Sequence, residues 1–261
     1  MPESISFIGS GNVAWHLAPA LDNAGFVVKE IFSRNHRHAA LLTERLYQAE
    51  VKATLDFSTS QSAVFIIAVN DDSIREVARE IILPEKALLA HSSGSVPLDE
   101  LQFAATSDIG VFYPLQTFSK TKKIDFQSVP IFIESANSET EKILTTLAKA
   151  ISHQVKRITS EERKALHVAA VFASNFTNHM LALGEVIAQK NNLDFEWLKP
   201  LITETINKCL QTSPREAQTG PARRGDLETL EKHMAFLHDD PHVAEIYQLI
   251  SQHIIDQYHE D

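Results

Sequence analysis

Short apolar runs alternate with amphipathic stretches through the first part of the chain. ISFIG, FVVKEIF and AVFIIAV are rich in β-branched and aromatic residues, which is typical of strands, and the unbroken third run indicates a central strand covered on both faces. Apolar residues with helical spacing follow the first two runs, in NVAWHLAPALDNAG and RHAALLTERLYQA. This alternation predicts an α/β fold with a doubly wound parallel sheet.

The same alternation continues further along the chain. The segment DSIREVAREI predicts a helix, and four further strands are predicted in ALLAHSS, DIGVFYP, VPIFIES and HQVKRIT. The segment SETEKILTTLAKAIS predicts a helix before the last strand, with Ser138 and Glu141 spaced as a capping box at its start.

From residue 159 onward the pattern is helical only. Four helical segments are predicted, in SEERKALHVAAVFASNFTNHMLALGEVIAQKN, DFEWLKPLITETINKCLQ, GDLETLEKHMAFL and PHVAEIYQLISQHIIDQY. No Gly/Ser-rich linker precedes them, so we expect two domains that pack rigidly. The first covers residues 1–158 and contains the sheet, and the second covers residues 159–261 and is all-α.

Composition and charge narrow the functional classes. Hydrophobic residues make up 44% of the 261-residue chain, and the net charge is −10 with a pI of about 5.6. The acidic balance argues against nucleic-acid and membrane partners. The single cysteine, Cys209, allows no intramolecular disulfide, and no Cys/His set has zinc spacing. We therefore expect no metal site. The N-terminal stretch lacks a signal-type apolar run, so we expect a cytoplasmic protein.

A glycine-rich loop follows the first predicted strand. FIGSGNVA reads G-x-G-x-x-A, with Gly9, Gly11 and Ala14 in the spacing of a dinucleotide-binding turn of the Rossmann type. Gly9 permits the tight turn, Gly11 lets the backbone approach a pyrophosphate, and Ala14 keeps the helix close to the sheet. The alternative interpretation is a structural glycine turn.

The end of the second predicted strand indicates which dinucleotide binds. NAD sites place an acidic residue there to hold the ribose hydroxyls, but Glu30 lies too early and the tip reads Ser33-Arg34-Asn35. Because arginine pairs well with a 2′-phosphate, we expect NADP(H), unless the tip is only a solvated loop. The predicted cofactor set is Gly9, Ser10, Gly11, Asn12, Val13, Ser33, Arg34, Asn35, Val69, Asn70 and Ser92.

Candidate catalytic residues follow two later strands. His91 ends the ALLAHSS strand, and Gln116 follows the DIGVFYP strand with Tyr113 beside it. The carboxyl ends of parallel strands form the ligand-binding edge of such sheets, so His91 and Gln116 are expected near the nicotinamide. The alternative for His91 is a strand-end histidine bonded to backbone.

The long helix after residue 159 supplies two more candidates. His167 and Asn175 lie eight residues apart, and with Lys164 they recur at helical spacing among Ala, Val and Phe. A polar stripe on a buried helix needs partners, which a substrate or a second protein surface could provide.

The polar segment TGPARRGD interrupts the later helices. Its Gly-Pro step breaks the helical pattern, which places Thr219 and Arg224 on a loop where they could bind a substrate and its carboxylate. Asp226 is also positioned to cap the following helix. The alternative is a helix cap with surface arginines.

Four stretches carry a family resemblance: HSSGS, YPLQTFS, HVAAVFASNF and TGPARRGD. They resemble Rossmann-like oxidoreductases with a C-terminal helical domain of unknown function (2520), and the N-terminal half is similar to pyrroline-5-carboxylate reductases. The resemblance implies NADP binding, a reductase activity, and a helical domain for substrate binding and dimerisation. YPLQ is placed like the HP segment of prephenate dehydrogenases. In β-hydroxyacid dehydrogenases a helix carries a lysine and, four residues later, an asparagine. Here the residue four positions after Lys164 is Val168, so Lys164 is a doubtful proton donor.

The predicted function is hydride transfer between NADP(H) and a small keto or imino acid in an interdomain cleft. His167 or His91 would donate the proton, Asn175, Gln116 and Thr219 would position the substrate, and Arg224 would hold its carboxylate. A ketopantoate-type reductase and a cyclic-imine reductase both fit, and a homodimer is expected through the helical domain. The alternative function is a non-catalytic NADP(H)-binding sensor or scaffold.

Overall fold

The computed structural model describes residues 4–259, and the chain divides into two compact units. The first unit is Met1–Ser174 and the second is Asn175–Asp261. The predicted domain boundary at residue 159 coincides with the start of a helix, Ser160–Ala170, that belongs to the first unit. The assignment of the two domains therefore stays a prediction.

The first unit is built on one mixed sheet. Within residues 4–259 this sheet has eight strands in the order β3-β2-β1-β4-β5-β6-β7-β8. The strands are β1 Ser4–Ile8, β2 Val27–Phe32, β3 Glu50–Lys52, β4 Val64–Ile67, β5 Leu88–His91, β6 Ile109–Pro114, β7 Ile131–Ser135 and β8 Val155–Arg157.

The first six strands, β1 to β6, are parallel to one another, which confirms the predicted α/β fold. The next strand, β7, runs antiparallel to β6. The physical reason lies in the connection between these two strands. Its only helical element is the short 3₁₀ turn Phe126–Ser128, whereas a parallel return needs a full crossover, usually a helix. The strand β8 is again parallel to β7, because a full helix joins them.

Helices cover both faces of this sheet. Alternate residues of β1 belong to opposite clusters, with Phe7 in one buried core and Ile8 in the other. Leu17 packs in the first core and Ile74 in the second, as expected for a doubly wound sheet. The helices of this unit are α1 Asn12–Asn23, α2 His36–Thr43, α3 Ile74–Glu80, α4 Ser138–Ile151 and α5 Ser160–Ala170.

The predicted capping box of α4 is wrong by one residue. Asn137 is the N-cap, and its side chain accepts a hydrogen bond from the backbone N–H of Thr140 at 2.9 Å. Asparagine caps helices at least as well as serine, so Ser138 becomes the first helical residue. A full capping box occurs instead at α5, between Thr159 and Glu162.

The second unit consists of helices. A π-helical segment, Val171–Phe176, joins α5 to α6. No helix within residues 4–259 is both long and apolar enough to cross a bilayer. The helices of this unit are α6 Thr177–Lys190, α7 Lys199–Gln211, α8 Pro214–Ala217, α9 Pro221–Arg224, α10 Leu227–Phe236 and α11 Pro241–His259.

The long helical stretch is much less buried than its apolar sequence suggested. Arg163 is the only buried residue of α5, and Ala188 is the only buried residue of α6. Val168 is 49% exposed. The expectation of a buried helix with a polar stripe is therefore wrong for the single chain, because apolar composition does not by itself supply a covering surface.

Candidate functional site

The glycine loop has the geometry that its sequence predicts. Gly9 directly follows β1 with φ of 115°, and a Cβ there would lie 2.2 Å from the Ala68 carbonyl oxygen. Only glycine fits both the positive φ and this close approach. Gly11 is the N-cap of α1 without any side-chain cap, which leaves the first backbone N–H groups of the helix available to a phosphate.

A cleft of about 590 Å³ opens in front of this loop, within the size range of ordinary small-molecule sites. Nine residues of the predicted cofactor set line it: Gly9, Ser10, Gly11, Asn12, Ser33, Arg34, Asn35, Val69 and Asn70. Val13 and Ser92 do not. Val13 packs against the core, and the buried Ser92 hydroxyl donates to the Ile67 carbonyl oxygen at 3.3 Å.

The tip of β2 carries the cation Arg34, and it has no acidic residue that could bind the ribose hydroxyls of NAD. The Glu30 carboxylate is occupied inside the sheet, where it accepts from Ser6 Oγ at 2.8 Å and pairs with Lys52 at 3.6 Å. The exposed Arg34 forms no ion pair within residues 4–259. Its guanidinium is therefore available to a 2′-phosphate.

Other polar residues at this tip have local partners. Asn35 Oδ1 caps α2 by accepting from the N–H groups of Arg37 and His38 at 3.1 and 3.3 Å, and its amide nitrogen lies 3.5 Å from His38 Nε2. The Ser10 hydroxyl donates to Ser33 Oγ at 2.9 Å, which joins the glycine loop to the end of β2. His38 and Lys120 also line the cleft and were not predicted.

The cleft suits a dinucleotide with a phosphorylated ribose. Gly9 supplies a turn that a Cβ would fill, the start of α1 supplies open N–H groups, and Arg34 supplies an unpaired cation. Among residues 4–259, no group of three or more His, Cys, Asp or Glu is placed to hold a metal ion.

His91 is fully buried at the end of β5. Its Nδ1 accepts from the Ser93 backbone N–H at 3.2 Å, and its Nε2 has no well-placed partner within residues 4–259. Burial, together with the nearby Arg163 cation, lowers the pKa of His91 to about 3, although the Pro97 carbonyl weakly opposes this. A buried, neutral imidazole is poorly suited to protonate a substrate, which disfavours the predicted donor role.

His167 has a different environment. Its Nδ1 lies 3.1 Å from the Tyr113 hydroxyl, and the two rings meet edge to face. A Cβ on Gly94 would lie 2.5 Å from His167 Nδ1 and 2.8 Å from the Tyr113 oxygen. The glycine of the HSSGS loop therefore makes room for a hydroxyl–imidazole pair. Burial raises the pKa of the Tyr113 phenol, so Tyr113 is a neutral hydroxyl at physiological pH.

Arg163 holds the start of α5 against this loop and was not predicted. Its side chain is fully buried, pairs with Glu134 of β7 at 2.9 Å, and donates to the carbonyl oxygens of Ser93 and Val96 at 2.9 and 2.8 Å. Ser160 Oγ donates to the same Glu134 carboxylate at 2.8 Å. One turn after Arg163, His167 is thereby fixed beside Tyr113.

The remaining predicted catalytic residues are all exposed in the single chain. Gln116 is exposed after β6, and its Oε1 accepts from the Thr117 backbone N–H at 2.8 Å. Asn175, Thr219 and Arg224 belong to the second unit and are exposed. Asn175 lies within the π-helical segment, whereas His167 lies in α5, so the two residues cannot be assumed to share one α-helical face.

The TGPARRGD segment forms a short helix between two positive-φ glycines. Gly220 and Gly225 have φ of 104° and 68° and bracket α9. Asp226 caps α10 by accepting from the Thr229 N–H at 3.1 Å, as predicted. Arg223 stacks over the Tyr258 ring at 4.2 Å, so the structure assigns part of this segment to helix capping and packing.

Two family models match the chain. Residues 4–93 match the model described as NADP oxidoreductase, coenzyme F420-dependent, and residues 129–254 match a domain of unknown function, DUF2520. None of the curated proteins compared with the chain matches it.

Solved structures match over nearly the whole length. BF3122 of Bacteroides fragilis, described as a candidate NADP oxidoreductase, is 37% identical with a TM-score of 0.89, over 98% of both chains. The chain belongs to this NADP oxidoreductase family with a DUF2520 domain. The predicted family and its cofactor class, NADP(H), are therefore confirmed.

More distant structures share the fold. Protein TM1727 of Thermotoga maritima is 22% identical with a TM-score of 0.71, over 98% of this chain and 100% of that one. Pyrroline carboxylate reductase of Plasmodium falciparum, solved with NADP bound, is 15% identical with a TM-score of 0.60, over 97% and 98% of the two chains.

Proposed function

We propose that this oxidoreductase uses NADPH in preference to NADH and reduces a small keto or imino acid. The unpaired Arg34 in the cleft, beside a strand whose Glu30 is occupied internally, is the observation that carries the cofactor preference. The fold shared with a pyrroline carboxylate reductase favours a carbonyl or imine carbon as the hydride acceptor.

Bound NADPH supplies the hydride that reaches the carbonyl or imine carbon. The chain must supply a proton to the oxygen or nitrogen of the same bond, and we assign this to His167. Since its Nδ1 is engaged by the Tyr113 hydroxyl, Nε2 is the nitrogen from which the proton leaves. Tyr113 and the wall at Gly94 fix the ring in one orientation, which favours a productive transfer.

The substrate contacts remain predictions from the sequence. Arg224 is assigned to the substrate carboxylate, and Gln116, Thr219 and Asn175 to its orientation. The location of the substrate between the two domains, the cytoplasmic location of the protein and the absence of nucleic-acid partners likewise stay predictions.

A homodimer through the helical domain is part of this proposal. Exposed apolar side chains in α5 and α11 support it: Val168 is 49% exposed and Leu249 is 71% exposed. A second copy of the chain that covered these side chains would remove their apolar surface from water. A sedimentation experiment should give twice the chain mass of 29.2 kDa, and a monomer at micromolar concentration would contradict the proposal.

Fluorescence titration with NADPH and NADH tests the cofactor preference. Arg34→Ala removes a charge-assisted contact worth about 1.5–3 kcal/mol, so NADPH should bind about 10- to 100-fold more weakly. NADH binding should hardly change. Arg37→Ala is the matched control. It removes the same charge three residues further along the chain, and the Arg37 side chain does not line the cleft. Equal losses in both variants would contradict a specific phosphate contact.

NADPH oxidation with a panel of keto and imino acids separates the enzyme from the alternative sensor. Turnover that falls strongly in His167→Gln, with NADPH affinity retained, would support the assigned proton donor. Tight NADPH binding without turnover on any member of the panel would favour a non-catalytic NADP(H)-binding protein.

A further inference from the structure

A second cleft of about 390 Å³ runs along the outer face of α1. One wall is α1, and the other is the segment that follows β6. Asn12 lies in the dinucleotide cleft, while later turns of α1 line the second cleft as far as Asn23. At 1.5 Å per residue, the far end lies about 16 Å along the helix from Asn12. The second cleft therefore leads away from the dinucleotide site.

Positive charge dominates this second cleft. Four cationic side chains line it, and no aspartate or glutamate does. None of the four forms an ion pair with a carboxylate of residues 4–259. The chain as a whole carries a net charge of −10, so the charge of this cleft is opposite in sign to the net charge of the protein. They are Arg45, Lys120, Lys122 and Lys123.

Nearby carboxylates have other partners. Asp22 is buried and accepts from the Tyr47 backbone N–H at 2.9 Å. Asp125 accepts from the Gln127 N–H at 3.0 Å as the cap of a 3₁₀ turn. Neither carboxylate forms an ion pair with the four cations. The lining of the cleft therefore has an excess of positive charge, which attracts polyanions.

Aromatic and hydrogen-bond contacts hold the lysine-bearing segment in place. The buried His16 Nε2 donates to the Ser119 carbonyl oxygen at 2.8 Å. The Phe118 ring lies 5.7 Å from the His16 ring and 6.0 Å from the Phe126 ring. The segment is therefore attached to α1, directly before the three lysines, and presents them at a defined place.

Trp15 forms a platform shared by two of the cations. The Arg45 guanidinium lies 4.3 Å and the Lys120 ammonium 4.8 Å from its ring centroid. Arg45 also donates to the Trp15 carbonyl oxygen. Lys120 lines both this cleft and the dinucleotide cleft, so one ammonium borders two binding regions.

We propose that this second cleft binds a small molecule with two or more phosphate groups. Lys122, Lys123 and Arg45 bind its phosphates, and Lys120 is drawn away from the dinucleotide cleft when the site is filled. Occupancy of the second cleft therefore lowers the affinity for NADPH. By linkage, bound NADPH lowers the affinity for the phosphate ligand by the same factor. The coupling rests on the proposed function, whereas the site itself does not.

Trp15 fluorescence tests the site directly. The chain has two tryptophans, so Trp197→Phe leaves Trp15 as the sole reporter. Titration with inorganic pyrophosphate at constant ionic strength should give a saturable change. Adding Lys122→Ala and Lys123→Ala should weaken binding at least about tenfold, because two charge-assisted contacts are lost. The matched control is Lys142→Ala with Lys149→Ala, two exposed lysines of α4, and it should bind as before.

Three results would overturn the site. A change that never saturates, or an equal loss in both lysine pairs, would show non-specific attraction. Binding abolished by Arg34→Ala but retained in the Lys122/Lys123 variant would place pyrophosphate in the dinucleotide cleft. A parallel titration with ATP separates the sources: tighter ATP binding assigns a nucleotide, and equal binding assigns the phosphates alone.

The coupling is tested by NADPH titration with and without saturating pyrophosphate. NADPH affinity should fall about threefold to tenfold, which is within ordinary coupling strengths, and the Lys122/Lys123 variant should show no fall. An unchanged affinity would overturn the coupling. If NADPH does not bind at all, the proposed function fails, while the Trp15 titration still decides the second site.

Discussion

The sheet unit buries its apolar residues in two clusters, whereas the helical unit leaves much of its apolar surface exposed in the single chain. Trp197, Leu201 and Leu210 are 68%, 62% and 80% exposed. Among the described residues of the helical unit, the buried hydrophobic side chains are Ala188, Ala222, Leu230, Leu237 and Ala244. Apolar residues therefore form a closed core in the sheet unit and an open surface in the helical unit.

Buried polar groups show the same contrast. Within residues 4–259, every buried polar or charged side chain lies in the sheet unit, including His91 and Arg163. Electrostatic effects are strong only where water is excluded. Large responses to charge and pH changes are thus expected from the sheet unit, and small local responses from the helical unit.

The largest effect is expected from Arg163→Met. Removing the cation leaves the Glu134 carboxylate without its counter-ion and two carbonyl oxygens without their donor. This should lower the free energy of unfolding by about 3–5 kcal/mol. Urea unfolding monitored by circular dichroism measures it. The control is Arg157→Ala, whose 76% exposed side chain pairs with Glu141 and should cost at most about 1 kcal/mol. Similar losses in the two variants would remove the distinction between buried and exposed pairs.

Two glycines provide the next contrast. Gly9→Ala forces a Cβ onto the Ala68 carbonyl in a positive-φ turn, so it should cost about 1–3 kcal/mol or more and abolish NADPH binding. Gly184, within α6, has no atom within 4 Å of a built Cβ. Gly184→Ala should therefore stabilise by about 0.5–1 kcal/mol. Thermal unfolding of both variants checks these signs, and a destabilised Gly184→Ala would show that the α6 surface is covered.

The pH dependence of stability should follow His91. Its pKa falls from 6.5 to about 3 on folding, so the unfolded chain binds more protons between these values. The contribution of neutral His91 to the free energy of unfolding is therefore fully present above pH 6.5 and is lost as the pH falls. The free energy of unfolding should decrease by about 2 kcal/mol between pH 6.5 and 5. Urea unfolding of the wild type and of His91→Gln at the two pH values isolates this contribution. An unchanged pH slope in the variant would exclude His91 as its source.

The smallest effects are expected at helix caps, and they should be alike in both units. Asn137→Ala should cost about 1 kcal/mol, while Ser138→Ala should change stability by only a few tenths. In the helical unit, Asp226→Ala should speed amide exchange at Thr229, and Asp226→Asn should largely restore its protection. A large effect of Ser138→Ala would reinstate the predicted capping box.

The sequence predicted the elements well where a local signal was strong. The glycine spacing, the apolar run of β4 and the cap at Asp226 all act within a few residues, so they could be read directly. The antiparallel direction of β7 could not, because it depends on the absence of a crossover helix before it. The strand β3, Glu50–Lys52, was missed because it is only three residues long, two of them are charged, and the strand is largely exposed.

The candidate site was predicted only in part for the same reason. Gly9, Arg34 and Asn70 line the cleft as expected, because they follow strand ends that meet at one edge. Arg163 carried no signal, since an arginine in an amphipathic helix is usually solvated. Lys120 was missed because nothing in its local sequence shows that its segment returns to the glycine loop.

The sequence alone determined the α/β class, the dinucleotide loop and the cofactor class, because strand periodicity, glycine spacing and the residues at the tip of β2 are local properties. The tertiary structure decided which polar residues share an environment. It buried His91 as a neutral imidazole, placed Tyr113 beside His167, and gathered four cations along α1. Burial and long-range contacts set these outcomes, since dielectric and charge neighbours depend on residues far apart in the chain.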